Sequence, residues 1–174
     1  MIGHLTKMVM FRIGLVAVFL CVNAEAQTHC AGNWVSHGNS CYAFITTIKS
    51  SWIDAGAFCR NANAKLVEIE SADEDNFLRA HLLASHTSEH FWIGGTDAMK
   101  EGNWVWMSTQ DPLDYNGWNP GEPNNGVGAA CMAMANHEHY HWNDDFCTKS
   151  YDFICEKEHE SIILGRSNSE LTNK

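Results

Sequence analysis

The cysteines limit this chain's possible folds more than any other feature. Seven cysteines occur in 174 residues, and Cys21 lies in an N-terminal segment, residues 1–26, that reads as a secretory leader. Lys7 and Arg12 give that segment a basic start, Ile13 to Val22 an apolar run, and Ala24-Glu25-Ala26 a small-residue cleavage site. The run is well short of the ~20 apolar residues that a membrane helix needs, and no later stretch comes closer. The expected product is secreted, begins at Gln27 and has no membrane span. Cleavage would leave Cys30, Cys41, Cys59, Cys131, Cys147 and Cys155, an even set that in an exported chain implies three disulfides. Spacing alone leaves every pairing among them open. A thiolate zinc site would need clustered C-x-x-C spacing, which is absent.

Loss of Lys7, Arg12 and Glu25 from 11 basic and 21 acidic residues leaves 9 and 20, a net charge of −11. This balance argues against nucleic acid or anionic membrane as a partner, because phosphate binding needs a basic patch. It is compatible with cations or mineral surfaces, and equally with acidity that only keeps an exported protein soluble. The remaining length suits one compact domain. Residues 27–158 are assigned to it, with a core at 30–156, and 159–174 to a polar C-terminal tail.

Local patterns fill in the domain. Trp34-Val35 and Tyr42 to Ile45 flank a turn at Ser36 to Asn39, predicting a hairpin. Ser51 with Asp54 three residues on caps a helix to about Asn61, with Trp52, Ala55, Phe58 and Cys59 at helical spacing. A short strand is expected at Leu66-Val67. Ser71 and the acids Asp73, Glu74 and Asp75 open a second helix with Phe77, Leu78 and Leu82 inward. Short strands are expected at 91–95, 104–106, 131–135, 140–143 and 151–156. Residues 107–130 hold all three prolines and no periodicity, as an ordered functional loop would.

Within that loop stands Glu122-Pro123-Asn124, and after Trp142 stands Asn143-Asp144. Two carboxylates and two amides are hard oxygen donors, the kind a calcium ion collects in sets of about 6–8. Proline fixes its own φ and restricts the residue before it, which can hold Glu122 and Asn124 toward one point.

With the six cysteines, Trp92-Ile93-Gly94-Gly95, Trp118 to Asn125 and Trp142-Asn143-Asp144 in place, the chain resembles the C-type lectin-like domain in its long form. The resemblance runs from Cys30 to Glu156. Cys41 to Phe44, Ile48 to Ser51, Asp73 to Arg79 and Phe153 to Glu158 are similar to the perlucin-like molluscan lectins. The family implies an α+β fold of two helices, two small antiparallel sheets and a long loop region. It also implies the pairings Cys30–Cys41, Cys59–Cys155 and Cys131–Cys147. The second pairing closes a loop from residue 59 to 155, for which the chain-entropy model gives roughly 4–5 kcal/mol. The Glu-Pro-Asn form implies Ca2+ as cofactor and mannose- or N-acetylglucosamine-type sugars as ligands. Glu122, Asn124, Asn143 and Asp144 would bind metal and sugar, and Trp118 and Tyr140 are candidates for contact with a sugar face.

One departure matters. Where the family usually has another glutamate ligand, two residues before Cys131, this chain has Ala129. The expectation is therefore weakened calcium binding and weak monovalent sugar binding. Asp97 and Glu101 match a second family calcium position, whose other partners would fall on Asn125, Ala129 and Ala130. Asp73, Glu74 and Glu156 could serve a further site near the second helix.

His137-Glu138-His139-Tyr140-His141 satisfies the H-E-x-x-H pattern of zinc proteases. That chemistry needs a helix, and the segment abuts Trp142-Asn143-Asp144 too closely for one, so the chain is not expected to be an enzyme. The alternation His137, His139, His141 would place three imidazoles on one side of an extended strand. Two functions stand after this reading. One is a secreted lectin for glycans or glycoproteins in innate immunity or agglutination. The other is an acidic matrix protein of the same fold that binds calcium carbonate or matrix glycoproteins in biomineralization.

Overall fold

The computed structural model describes residues 6–11, 18–23 and 30–159. The chain divides into two compact units, residues 1–29 with 160–174, and Cys30–His159. In the first, β1 (Thr6–Phe11) and β2 (Val18–Asn23) pair antiparallel with Thr6 opposite Asn23. The expected cleavage segment and tail residues 160–174 lie outside the described residues. Among the described residues, no helix is long and apolar enough to cross a membrane.

The second unit holds β3 (Val35–His37), β4 (Ser40–Ser50), α1 (Trp52–Asn61), β5 (Lys65–Leu66), α2 (Ala72–Ala84), β6 (Phe91–Thr96), β7 (Val105–Trp106), β8 (Cys131–Ala135), β9 (His141–Asp145) and β10 (Tyr151–Glu158). Both helices start where their caps predict. Ser51 Oγ accepts from the Asp54 N–H at 3.3 Å and Ser71 Oγ from the Glu74 N–H at 3.2 Å. Each bond satisfies a donor that the first helical turn leaves unpaired. The strands run in the order β3-β4-β10-β6-β8-β9, with β5 on β10 and β7 on β6. All these pairs are antiparallel except β10 with β6, where Asp152 and Phe153 lie opposite Phe91 and Trp92. That short parallel contact joins the two small sheets into one eight-stranded assembly.

The central strands are buried on both faces, so side-chain alternation feeds two cores. Phe91 and Ile93 of β6, Met132 and Met134 of β8 and Ile154 of β10 enter one core with Val67, Leu78, Leu82, Trp106 and Trp142. Trp92, Cys131, Ala133, Phe153 and Cys155 face the other way, toward Trp52, Ala55 and Cys59 of α1. Gly94 sits where β6 passes close to the chain after β5. A Cβ there would lie 2.8 Å from Glu68 Cγ and 3.0 Å from the Leu66 carbonyl, so no larger residue fits unchanged. All three pairings implied by the resemblance are present, Cys30–Cys41, Cys59–Cys155 and Cys131–Cys147. The C-terminal end of the unit is bound one residue beyond its expected boundary, since the His159 N–H donates to the Asn39 carbonyl at 3.0 Å.

The histidine segment departs from the extended strand predicted for it. Asn136–Glu138 is a turn of 3-10 helix, His139 and Tyr140 take left-handed φ values of 51° and 60°, and β9 begins only at His141. The three imidazoles therefore do not line one strand face, and the Glu138 region has no α-helix on which H-E-x-x-H could bind zinc. Tyr140 is 1% exposed and its hydroxyl donates to the Thr87 carbonyl at 2.7 Å. It is a core residue, so its ring is not presented for contact with a sugar face.

Candidate functional site

The long loop between β7 and β8 is held by aromatic packing, not by regular pairing. Trp118 is half-buried and stands edge-on to Trp104 at 4.8 Å and to Trp142 at 6.0 Å. The backbones of Trp118 and Trp142 form an isolated bridge. Gly117 passes so near that a Cβ would meet Trp142 Cε2 at 2.4 Å. Trp142 itself is fully buried, and its indole N–H donates to Asp75 Oδ1 of α2 at 2.9 Å. Helix α2 thus fixes the residue that precedes Asn143 and Asp144, and that residue fixes the loop.

On this platform the loop folds back over β9. The Asn119 N–H donates to the Trp142 carbonyl at 3.0 Å and the Glu122 N–H to the Asn119 carbonyl at 2.9 Å. The Glu122–Pro123 peptide is cis. Asp144, 2% exposed, accepts the Asn124 N–H at Oδ1 and the Asn125 N–H at Oδ2, both at 2.9 Å. Asn124 Nδ2 donates to Glu122 Oε1 at 2.8 Å. Asn143 Nδ2 donates to the Asp144 carbonyl at 2.8 Å, and so does Asn125 Nδ2 at 2.6 Å. The four residues read from sequence as metal and sugar ligands therefore lie together, and Asn125 joins them. Its position directly after Asn124 is the one sequence signal for it, and the family resemblance places it at the second calcium position instead.

The electrostatics point to a cation. Burial pushes the Glu122 carboxyl up to about 7, helped by the neighbouring Asp144 carboxylate and by the charge of Glu138. Glu122 Oε2 is buried with no hydrogen-bond partner among the described residues. Two carboxylates held together with one oxygen unpaired form a site that a hard divalent ion would relieve. The donor set fits calcium. Ala129 is 2% exposed, donates its N–H to the Gly126 carbonyl at 3.1 Å and offers no side-chain ligand.

The weaker candidates are placed differently. Asp97 is 4% exposed, its Oδ2 accepts the Gly102 N–H at 2.8 Å and its Oδ1 has no hydrogen-bond partner among the described residues, while Glu101 is exposed. Asp73 pairs with His37 at 2.8 Å, Glu74 accepts from Tyr42 at 2.8 Å and Glu156 accepts from Ser40 at 2.8 Å. Among the described residues, Cys30, Cys41 and His159 are the one close group of three drawn from histidine, cysteine and carboxylate side chains alone. Both of its sulfurs are consumed in a disulfide.

The profile of the Lectin C-type domain family matches residues 48–157. This chain belongs to the C-type lectin family. Perlucin of Haliotis laevigata is 39% identical over 121 residues, which are 68% of this chain and 77% of perlucin. Asialoglycoprotein receptor 1 of Rattus norvegicus is 33% identical over 151 residues, 84% of this chain, and this lectin spans about half of that receptor, 49% of its length. Among solved structures, an SPL-1–GlcNAc complex is 33% identical with a TM-score of 0.66, over 74% of this chain and 94% of that one. C-type lectin domains bind carbohydrate and are not enzymes, which agrees with the non-helical H-E-x-x-H segment.

Proposed function

We propose that this C-type lectin is a secreted, calcium-dependent binder of mannose- and N-acetylglucosamine-type glycans, acting through Glu122, Asn124, Asn143 and Asp144. The observation that carries this reading is the junction of the Glu122 and Asp144 carboxylates with the Asn124 and Asn143 amides, one Glu122 oxygen being left without a partner. Bound calcium would supply a positive centre that takes a lone pair from each of two vicinal sugar hydroxyls. The chain's own residues do the rest. The carboxylates accept the hydroxyl protons, and the amides of Asn124 and Asn143 donate to the hydroxyl oxygens. Glu at 122 and Asn at 124 fix the donor and acceptor order, which favours equatorial hydroxyl pairs. Asn125 and the Asn124 backbone brace Asp144 from behind. With Ala129 in place of a third carboxylate, a single domain binds weakly, and useful avidity requires several domains on one surface. Support also comes from the similar SPL-1 structure, whose ligand is GlcNAc.

The decisive experiment is a glycan array probed with and without chelator, with mannose and galactose as competitors. Binding that disappears with chelator and competes with mannose supports the proposal. Chelator-resistant binding, or competition by galactose alone, overturns it. A second reading, an acidic matrix protein that adsorbs to calcium carbonate, is favoured by the 39% identity to perlucin and by the acidic excess. Retention on calcite without any glycan binding would select it.

A further inference from the structure

Away from the sugar-binding residues, α1 and the chain around β5 border a groove of about 370 Å³. Trp52 and Leu66 form its floor, and Met107, 43% exposed, forms one lip. The volume falls within the ~300–1,000 Å³ typical of small-molecule sites, which are mostly apolar with a few placed polar groups. Gly56 lies at its base in the middle of α1, where glycine costs about 1 kcal/mol of helix stability relative to alanine. A Cβ there would meet only Arg60 Nη1 at 3.4 Å and Leu66 Cδ1 at 3.8 Å. Alanine would therefore fit, and the missing methyl leaves the groove deeper than packing requires.

The charges are asymmetric. Glu68 is the groove's one acid, and it is neutralised. Its carboxylate accepts from Lys65 Nζ, the Ser108 N–H and Ser108 Oγ, each at 2.7 Å. Arg60, on the exposed rim, has no carboxylate partner among the described residues. An unpaired guanidinium is notable in a chain with 21 acidic and 11 basic residues. Its fork of donors suits a carboxylate or sulfonate.

We infer that this groove is a second ligand site, for a small organic anion whose apolar body rests on Trp52, Leu66 and Met107 and whose acidic head pairs with Arg60. The ligand is a free small molecule. The enclosed volume accommodates a body of about eight carbons, and neither its shape nor its charge depends on calcium.

Octanoate titrated into the 15N-labelled full chain, in the presence of chelator, tests this directly. Octan-1-ol and octylammonium serve as neutral and cationic controls. The expected result is amide shifts centred on Gly56, Arg60 and Met107, with a Kd on the order of 1 mM. Octanol should bind at least five-fold more weakly, and octylammonium should not bind. Arg60→Gln should reduce octanoate affinity at least five-fold while leaving octanol unchanged. Met107→Glu, at an exposed position, should weaken both. Neither variant should alter the melting temperature or calcium-dependent glycan binding. Equal binding of octanoate and octanol, shifts centred elsewhere, insensitivity to Arg60→Gln, or a sedimentation profile showing the groove occluded by a second copy would each overturn the inference.

Discussion

Asp75→Ala should destabilise the domain by about 2–4 kcal/mol, although the residue is not among the proposed calcium or sugar ligands. Asp75 is 1% exposed. Its Oδ1 accepts the Trp142 indole N–H at 2.9 Å, its Oδ2 accepts the Tyr115 hydroxyl at 3.4 Å, and Arg79 Nη1 lies at 4.0 Å. Truncation strands the indole N–H in a fully buried position, a loss of about 1–3 kcal/mol, and adds a small cavity beside Trp142. Relief of the cost of burying a carboxylate offsets part of this, since burial raises the Asp75 pKa. Asp75→Asn keeps an acceptor for the indole and should cost less than about 1.5 kcal/mol. The assay is guanidinium unfolding with disulfides intact, for Asp75→Ala, Trp142→Phe and the double variant. A coupling of about 1–3 kcal/mol between the two sites is expected. Additive effects, or an Asp75→Ala cost below about 0.5 kcal/mol, would refute the idea that α2 anchors β9 through this bond.

Ala129→Glu adds the third carboxylate that the proposed calcium site lacks and should tighten calcium binding about ten-fold or more by calorimetry; no change would count against position 129 as part of that site. Gly117→Ala brings a Cβ to 2.4 Å from Trp142 Cε2 and should cost roughly 2 kcal/mol or more, read as a lowered guanidinium midpoint together with weakened calcium binding. Stability should also respond to pH through buried acids. Glu74, Asp75 and Glu156 are all raised, mainly by burial, so the fold holds these protons more tightly than the unfolded chain. The resulting penalty is full above their folded pKa values and is relieved as pH falls through them toward the ordinary 4.5 and 3.8. His81 and His90 are lowered by burial and act in the opposite sense, removing stability as pH falls below their ordinary 6.5. In chelator, the stability of Asp75→Asn relative to wild type should therefore improve from pH 4 to pH 8, in urea midpoints. A constant difference would contradict the assigned shift.

The helices were legible in the sequence because their signals are local. Ser51 and Ser71 cap the helices they were expected to cap, and Leu78 and Leu82 are buried where spacing puts them. Strands β6 and β8 were legible as apolar runs, although only the tertiary arrangement shows that alternate residues serve different cores. Glu122, Asn124, Asn143 and Asp144 stand out in the sequence because their residue types share one chemistry, and the fold brings them together. What sequence could not supply was long-range. The indole of Trp142 reaches Asp75 across 67 positions, and Trp118 wedges against Trp104 and Trp142. The histidine strand failed for a local reason that pattern does not reveal. Two successive residues at positive φ turn the chain before β9, and neither is a glycine that would have marked the turn.

The order of the sheet has a practical result. Strand β9, which carries Asn143 and Asp144, lies at one edge, and β3 lies at the other. The two ends of the domain meet beside β3, where His159 contacts Asn39 and Ser40 and Cys30 is tied to Cys41. A linker, surface anchor or multimerising tag joined at either end of the domain would therefore attach beside β3, away from β9. Copies arrayed this way would leave the loops around β9 unobstructed, which is the arrangement that the proposed glycan sites, if individually weak, would need to act together.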